Sequence, residues 1–290
     1  MKVIYSERCL EYTSAEHPES PERIRRIVDA LKSENGYAFV EPKPCSTDDL
    51  LLVHTQEHID RVRNNEFSDA DTPNIPDIYR YASLAVGSAI TASHIAEKEG
   101  VAFSLARPPG HHAERERVGG FCYFNNIAVA VAKLLKQGKK VAILDIDVHH
   151  GNGTQDIFLG KENVLYCSLH QVPLYPGTGW RSENNCHNFP LPPGTDGKQY
   201  LEALRLGIQY IRLFKPDILA VSVGFDTYKG DPLAQLKLEI DDYEDIGMEI
   251  RKLNKSTFFV LEGGYSPDIG TCVVKFFEGF SPILPHKKSA

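Results

Sequence analysis

The sequence predicts an α/β fold, a mostly parallel sheet with helices on both faces, and three observations carry that reading. Short apolar runs alternate with longer helix-like stretches along nearly all of the 290 residues. The apolar runs are continuous rather than alternating, as in strands buried on both faces. No internal repeat, low-complexity segment or linker-like stretch interrupts the pattern, so residues 1–290 read as a single domain.

Taken in order, strands are expected at residues 3–5, 101–105, 141–144, 164–169, 218–223 and 258–261. Each is a short run rich in Val, Ile, Leu or Phe. Helices are expected at 21–32, 75–97, 125–135, 200–214 and 243–253. The first has the clearest start, with Ser20 placed to cap it and Pro21 at its first position, where a missing N–H costs nothing.

Composition removes several classes of function. A net charge of -7 leaves no basic patch for direct contact with nucleic acid, and the His-Lys-Lys at 286–288 is too short to make one. No apolar run approaches the ~18 residues of a membrane span, so no membrane partner is expected. The N-terminal Met1-Lys-Val-Ile-Tyr5 enters a strand directly, without the apolar core of a signal peptide. Six cysteines (Cys9, Cys45, Cys122, Cys167, Cys186, Cys272) form no C-x-x-C pair. Each reads as a small buried apolar residue, and the expected location is the reducing cytoplasm.

Parallel sheets gather their sites at the carboxyl ends of strands, and here each such end carries unusual polar residues. Arg107-Pro-Pro-Gly-His-His112 follows one, Asp145-Ile-Asp-Val-His-His-Gly-Asn-Gly153 another, then Ser168-Leu-His170, Gly224-Phe-Asp226 and Glu262-Gly-Gly-Tyr265. In an extended chain, alternate side chains share a side, which would group Asp145, Asp147 and His149. Two carboxylates and an imidazole suit a metal with a coordination position left for water and substrate. A solvated turn after a buried strand is the plainer alternative. Asp226, on a turn after its own strand, is the natural further ligand beside Asp147 and His149, unless it merely caps a turn.

The tandem His111-His112 follows a rigid Pro-Pro-Gly turn. One imidazole there could act as a general base. Its neighbour needs a hydrogen-bond partner to set its tautomer, which Asp145 or Asn152 could supply. Tyr265 offers a phenol that could steady an oxyanion, although a lone Tyr is more often a packing residue. Phe121 and Tyr175 are loop aromatics able to wall a narrow slot, and Trp180 reads as packing. No P-loop, G-x-G-x-x-G after a strand or H-E-x-x-H occurs, so nucleotide and zincin readings lack support.

Together these motifs resemble the histone deacetylase superfamily, which includes acetylpolyamine amidohydrolases and acetoin-utilisation proteins. The resemblance rests on His17-Pro-Glu-Ser-Pro-Glu-Arg23, Arg107-Pro-Pro-Gly-His-His-Ala113 and Gly120-Phe-Cys-Tyr-Phe-Asn-Asn126. It continues through Asp145-Ile-Asp-Val-His-His-Gly-Asn-Gly-Thr154, Tyr175-Pro-Gly-Thr-Gly179, Gly224-Phe-Asp226 with Gly230-Asp-Pro-Leu233, and Leu261-Glu-Gly-Gly-Tyr265. The motifs stand in the family's order over nearly the whole chain. They imply the arginase-deacetylase fold, a central parallel sheet of about eight strands, and zinc-dependent amide hydrolysis.

Carried over by motif position, the resemblance makes Asp147, His149 and Asp226 the metal ligands. His112 becomes the general base and acid, and His111 its electrostatic partner, oriented by Asp145. Asn152 would contact His112, and an Asn there is similar to the class II branch of the family, where class I members have Asp. Tyr265 matches the transition-state phenol. Gly120, Phe121 and Tyr175 match an acyl-lysine channel, and Asp71 a rim carboxylate that grips the substrate backbone. At the mouth, Leu233 stands where polyamine-selective relatives carry a glutamate. The family also holds structural potassium. Its inner site would use Asp145, Ser168 and Leu169 with the carbonyls of Asp147 and His149, and its outer site Phe158, Lys161 and Val164.

The expected activity is therefore hydrolysis of N-acetylated lysine or a related amine, with zinc or iron as the metal. A deacetylase for acetylpolyamines or acetoin-like compounds is the rival within enzymes, and an inactive acyl-lysine-binding protein the rival outside them. The substrate, the native metal and the oligomeric state stay open at the level of sequence.

Overall fold

Four neighbouring strands in the middle of one sheet place the chain's polar strand ends side by side. A computed structural model describes residues 1–281, so the basic stretch at 286–288 lies outside the described residues. The strands are β1 (Lys2–Ile4), β2 (Ala38–Val40), β3 (Val101–Ser104), β4 (Val141–Asp145), β5 (Val164–Gln171), β6 (Cys186–Leu191), β7 (Ile218–Val223) and β8 (Ser256–Leu261). They form an eight-stranded sheet in the order β2-β1-β3-β8-β7-β4-β5-β6. Every pairing is parallel. All carboxyl ends therefore face one rim, and β3, β8, β7 and β4 are consecutive at its centre.

The helices are α1 (Pro21–Ser33), α2 (Thr47–Leu50), α3 (Gln56–Asn64), α4 (Ile78–Glu99), α5 (Asn126–Lys136), α6 (Asn152–Phe158), α7 (Gly197–Phe214), α8 (Asp242–Arg251) and α9 (Ile269–Phe280). Strand parity divides the core between the two faces of the sheet. Ala142, Leu144, Leu219 and Val221 join α1, α7, α8 and α9 in one cluster, built around Leu204, Ile246 and Phe276. Val141, Ile143, Ile218 and Ala220 point the other way, toward α3, α4 and α5 and residues such as Val86 and Ile127. Both faces are covered, which is why these strands read as continuous apolar runs.

The five expected helices stand within about three residues of their expected bounds, and the shifts have local causes. Asn125 lies outside α5 and caps it, accepting from Ala128 N–H at 3.0 Å. Asp196 opens α7 three residues early through a capping box with Gln199. Ser20 occupies the N-cap of α1 as expected, but its side chain makes no capping hydrogen bond. Ser168 and His170 correct another reading: they lie within β5, which runs on to Gln171, rather than after its end. Five of the six cysteines are buried as expected, Cys45 is only partly so, and all six are free thiols.

Trp180 departs from its reading outright. It is 57% exposed rather than packed, and its indole N–H donates to Gly177 O at 3.0 Å. Among the described residues, no helix is long and apolar enough to cross a membrane.

Candidate active site

The loops after β3, β4, β7 and β8 meet over the centre of the sheet and enclose a cleft of about 190 Å³. Asp147, His149 and Asp226 lie at its base with ligand atoms within 4.8 Å of one another. His149 Nδ1 stands 3.1 Å from Asp147 Oδ1 and 3.2 Å from Asp226 Oδ2. Each carboxylate is held by backbone on its other side. Asp147 Oδ2 accepts from Gly263 N–H at 2.7 Å, and Asp226 Oδ1 from Val148 N–H at 2.9 Å. A side chain at Gly263 would collide with Asp226 Oδ2, which explains why glycine is needed at this crossing.

Asp145 does not join this group, contrary to the parity reading. The extended backbone stops at Asp145 because two successive carboxylates turn the chain. Asp145 Oδ1 accepts from Asp147 N–H at 3.2 Å, and Asp147 Oδ1 from His149 N–H at 2.9 Å. Asp145 instead sits fully buried beneath the cleft, where Oδ2 pairs with His111 Nδ1 at 3.1 Å and accepts from the Tyr166 hydroxyl at 2.9 Å.

The donor set fits a divalent metal. Asp226 Oδ2 is buried and makes no well-aligned hydrogen bond, its one polar neighbour being His149 Nδ1 at 3.2 Å, so a cation lying between the two would satisfy both. Ligands at zinc's bond lengths in a tetrahedron lie about 3.3 Å apart, close to the separations around His149. The two carboxylates also favour positive charge between them. Burial pulls the His149 imidazole down, but Asp147 and Asp226 outweigh it and push the pKa up to about 10. Burial and the Asp147 charge raise Asp226 to about 7.

The two histidines occupy different electrostatic positions although they are adjacent in sequence. Burial disfavours charge on His111, yet Asp145 and Asp147 prevail and raise its pKa to about 10, so it stands as an imidazolium. Burial, then the charges of His111 and His149, push His112 well below the ordinary range and keep it neutral. Its tautomer follows from its partners. Asn152 Nδ2 donates to Glu114 Oε1 at 2.9 Å, so Asn152 Oδ1 faces His112 Nδ1 at 2.8 Å and must accept. The proton is thereby on Nδ1, leaving Nε2 with a free lone pair.

Tyr265 lines the same cleft, with the Arg23 guanidinium 4.6 Å from its ring centre. Burial raises its phenol well above the usual range despite Arg23, so it keeps its proton. Phe121, whose ring is 5.8 Å from that of Tyr265, and Tyr175, whose ring is 5.0 Å from that of His112, form aromatic walls. Gly120, at φ 52°, passes so close to His112 that a Cβ would stand 2.4 Å from its ring. Leu233 and Asp71 complete the lining, the former partly buried and the latter exposed.

The residues expected to hold potassium fall in two places. Asp145 and Ser168 are register partners across β4 and β5, with Leu169 following. His170 Nε2 lies 3.0 Å from Gly179 O, so that nitrogen carries the proton and Nδ1 accepts from the Ser168 hydroxyl at 2.8 Å. The Ser168 oxygen thus keeps its lone pairs free for a cation. Phe158, Lys161 and Val164 lie at the opposite end of β5, where their carbonyls meet the side chain of Asn185.

Sequence reading passed over four residues that hold this site. Glu262 Oε2 accepts from the N–H groups of Gly110 and His111 at 2.7 and 3.1 Å, clamping the histidine turn. Burial lifts its carboxyl to about 7 against the pull of His111. Asp231 accepts from Leu233 N–H at 2.9 Å and Tyr265 N–H at 2.6 Å, joining two walls of the cleft. Arg23 donates to the carbonyls of Gly264 and Glu262, both at 2.6 Å, and Glu114 sets the Asn152 amide. A charged residue inside a matched motif was the available signal for Arg23, Asp231 and Glu262, whereas Glu114 stands one position beyond such a motif.

Comparison with known proteins agrees with the geometry. The family model described as "Histone deacetylase domain" matches residues 17–279. A protein of Pseudomonas aeruginosa named acetylpolyamine amidohydrolase 1 is 41% identical, over 90% of this chain and 91% of its own length. A probable deacetylase of Archaeoglobus fulgidus is 38% identical, over 91% of this chain and 81% of its own length. The crystal structure of an acetylpolyamine aminohydrolase from Burkholderia pseudomallei superposes with a TM-score of 0.91 at 28% identity, covering 97% of this chain and 98% of that one.

Proposed function

Because this chain belongs to the histone deacetylase family, we propose that it is a zinc-dependent amidohydrolase that removes acetyl groups from N-acetylated lysine side chains or related amines. The observation that carries the proposal is the Asp147–His149–Asp226 cluster at the base of a cleft that His112 and Tyr265 also line. An ion held there, zinc or iron, would supply Lewis acidity toward the acetyl carbonyl and the attacking water.

The remaining steps belong to side chains. His112 Nε2, with its lone pair free, takes the proton of the attacking water and returns it to the leaving amine. Tyr265 donates its phenolic hydrogen to the oxyanion that forms on the carbonyl oxygen. His111, charged and tied to Asp145, contributes positive potential beneath the reacting centre without exchanging a proton. The aromatic faces of Phe121 and Tyr175, with Gly120 between motif neighbours, suit the apolar stem of an acyl-lysine. Asp71 is proposed to hold the substrate backbone at the rim. A potassium ion on Asp145, Ser168 and Leu169, with the carbonyls of Asp147 and His149, would brace the turn that carries the ligands. The six free thiols support the cytoplasm as the location.

Tyr265→Phe is expected to keep metal and fold while kcat falls ~10²–10³-fold, the typical cost of one oxyanion donor. Steady-state kinetics on protein of measured metal content checks this, and a near-normal kcat removes Tyr265 from that role.

Substrate class turns on Leu233, which gives the cleft an apolar lining where a glutamate would pair with a distant ammonium. We expect kcat/KM to be higher for an acetyl-lysine peptide than for acetylspermidine, and Leu233→Glu to narrow the gap. A second reading, acetylpolyamine hydrolysis, is favoured by the relative of that name and by the exposed carboxylate of Asp71. A clear preference of the unaltered protein for acetylspermidine would establish it. Binding of either substrate by metal-loaded protein without turnover would instead indicate an acyl-lysine reader.

A further inference from the structure

The side-chain nitrogen of Asn185 occupies the point where the outer potassium ion was expected. Three main-chain carbonyls converge on this single atom: Phe158 O at 2.9 Å, Lys161 O at 3.3 Å and Val164 O at 2.9 Å. These are the three residues that the family resemblance assigned to that ion. The orientation of the amide is set by a fourth contact, since Asn185 Oδ1 accepts from Gly160 N–H at 2.6 Å. Flipping the amide would place donor against donor at Gly160 and oxygen against three oxygens at the other end.

The chain delivers this amide deliberately. Glu183 and Cys186 exchange two backbone hydrogen bonds of 2.8 Å, closing a tight turn around Asn184 and Asn185. Asn184 takes the left-handed conformation, φ 50°, which asparagine tolerates better than most residues. Phe158 O and Lys161 O already accept from the N–H groups of Lys161 and Val164, each at 3.0 Å. Asn185 therefore uses their remaining lone pairs, the same ones a cation would need.

We infer that the Asn185 amide substitutes for the outer cation, so that of the two expected monovalent-cation positions only the inner one, at Asp145 and Ser168, can be filled. The two amide hydrogens carry partial positive charge and serve the three carbonyls, the longer contact to Lys161 O at 3.3 Å being shared. An added potassium ion would stand against those hydrogens and lose its oxygens to them. The link from α6 into β5 is thus closed by hydrogen bonds from the chain's own side chain. Its stability does not depend on dissolved potassium. The inference is independent of which acetylated amine is hydrolysed.

Equilibrium dialysis against rubidium chloride, with rubidium and protein counted in the same sample, tests it without any activity readout. The unaltered chain should bind no more than one rubidium. Asn185→Asp, which places a carboxylate oxygen among the three carbonyls, should bind one more and gain thermal stability with added KCl beyond the gain of the unaltered chain. Asn185→Ala, which opens the carbonyls without adding charge, serves if the Asp variant does not fold, and should also gain one ion. Two rubidium ions on the unaltered chain overturn the inference. So does a failure of either folded variant to gain one, because the carbonyls would then not form a cation position at all.

Discussion

Asp226→Ala and His149→Ala are each expected to lose bound metal and hydrolysis together. The site has three protein donors, and removing one leaves two to hold the ion against water. Changes to residues that merely support a metal ligand typically cost ~10–100-fold in affinity or activity, so loss of a ligand itself should exceed ~100-fold. Asp226 also accepts from Val148 N–H at 2.9 Å, so its Ala variant combines ligand loss with an unpaired buried amide. Asp226→Asn separates the two effects, because its amide oxygen can keep Val148 while the anionic ligand is gone. Elemental analysis after dialysis, alongside the unfolding midpoint, provides the check. Full metal occupancy in a folded variant would show that the residue is not a ligand.

His112→Ala is expected to reduce kcat ~10²–10⁴-fold, the usual contribution of a positioned acid–base group, with metal retained. His111→Ala should be milder. Its proposed role is electrostatic, and the Tyr166 hydroxyl, which donates to Asp145 at 2.9 Å, would still satisfy that carboxylate without the imidazole. The structural asymmetry behind this ordering lies in the partners. His111 faces a carboxylate and is held charged, whereas His112 faces an amide oxygen and is held neutral with Nε2 unprotonated. Kinetics on both variants at matched metal content decide the assignment. Equal losses, or a larger loss in the His111 variant, would reverse the two roles.

The elements legible in the sequence were those with strong local signals. The six expected strands are all present, since buried parallel strands declare themselves as apolar runs. The two edge strands were missed for the complementary reason. Ala38–Val40 is short and no residue of it is fully buried, and Cys186–Leu191 alternates in burial and contains Pro190. Edge strands need not be apolar on both faces, and proline is tolerated there. The short helices α2 and α6 were also passed over, as were α3 and α9. Helix α3 is a polar, nine-residue segment with only His58, Ile59 and Val62 buried, and α9 has no side-chain cap and opens on Gly and β-branched residues, which are poor helix formers.

Residue types and their placement at strand ends were determined by the sequence itself, because hydrophobic periodicity and turn chemistry act over a few neighbouring positions. That is why Asp147, His149, Asp226, the two adjacent histidines and Tyr265 could be named before any fold was known. What only the tertiary structure decided is which of them meet, and how. The order β3-β8-β7-β4 brings four strand ends, distant in sequence, to one rim. The turn at Asp145 sends that carboxylate to His111 instead of to the cluster at Asp147. Glu262 clamps Gly110 across 152 positions, and Asn185 closes on the carbonyl of Phe158 across 27. Hydrogen bonds act over about 3 Å of space with strict direction, and no spacing along the chain encodes that distance once the chain folds back on itself.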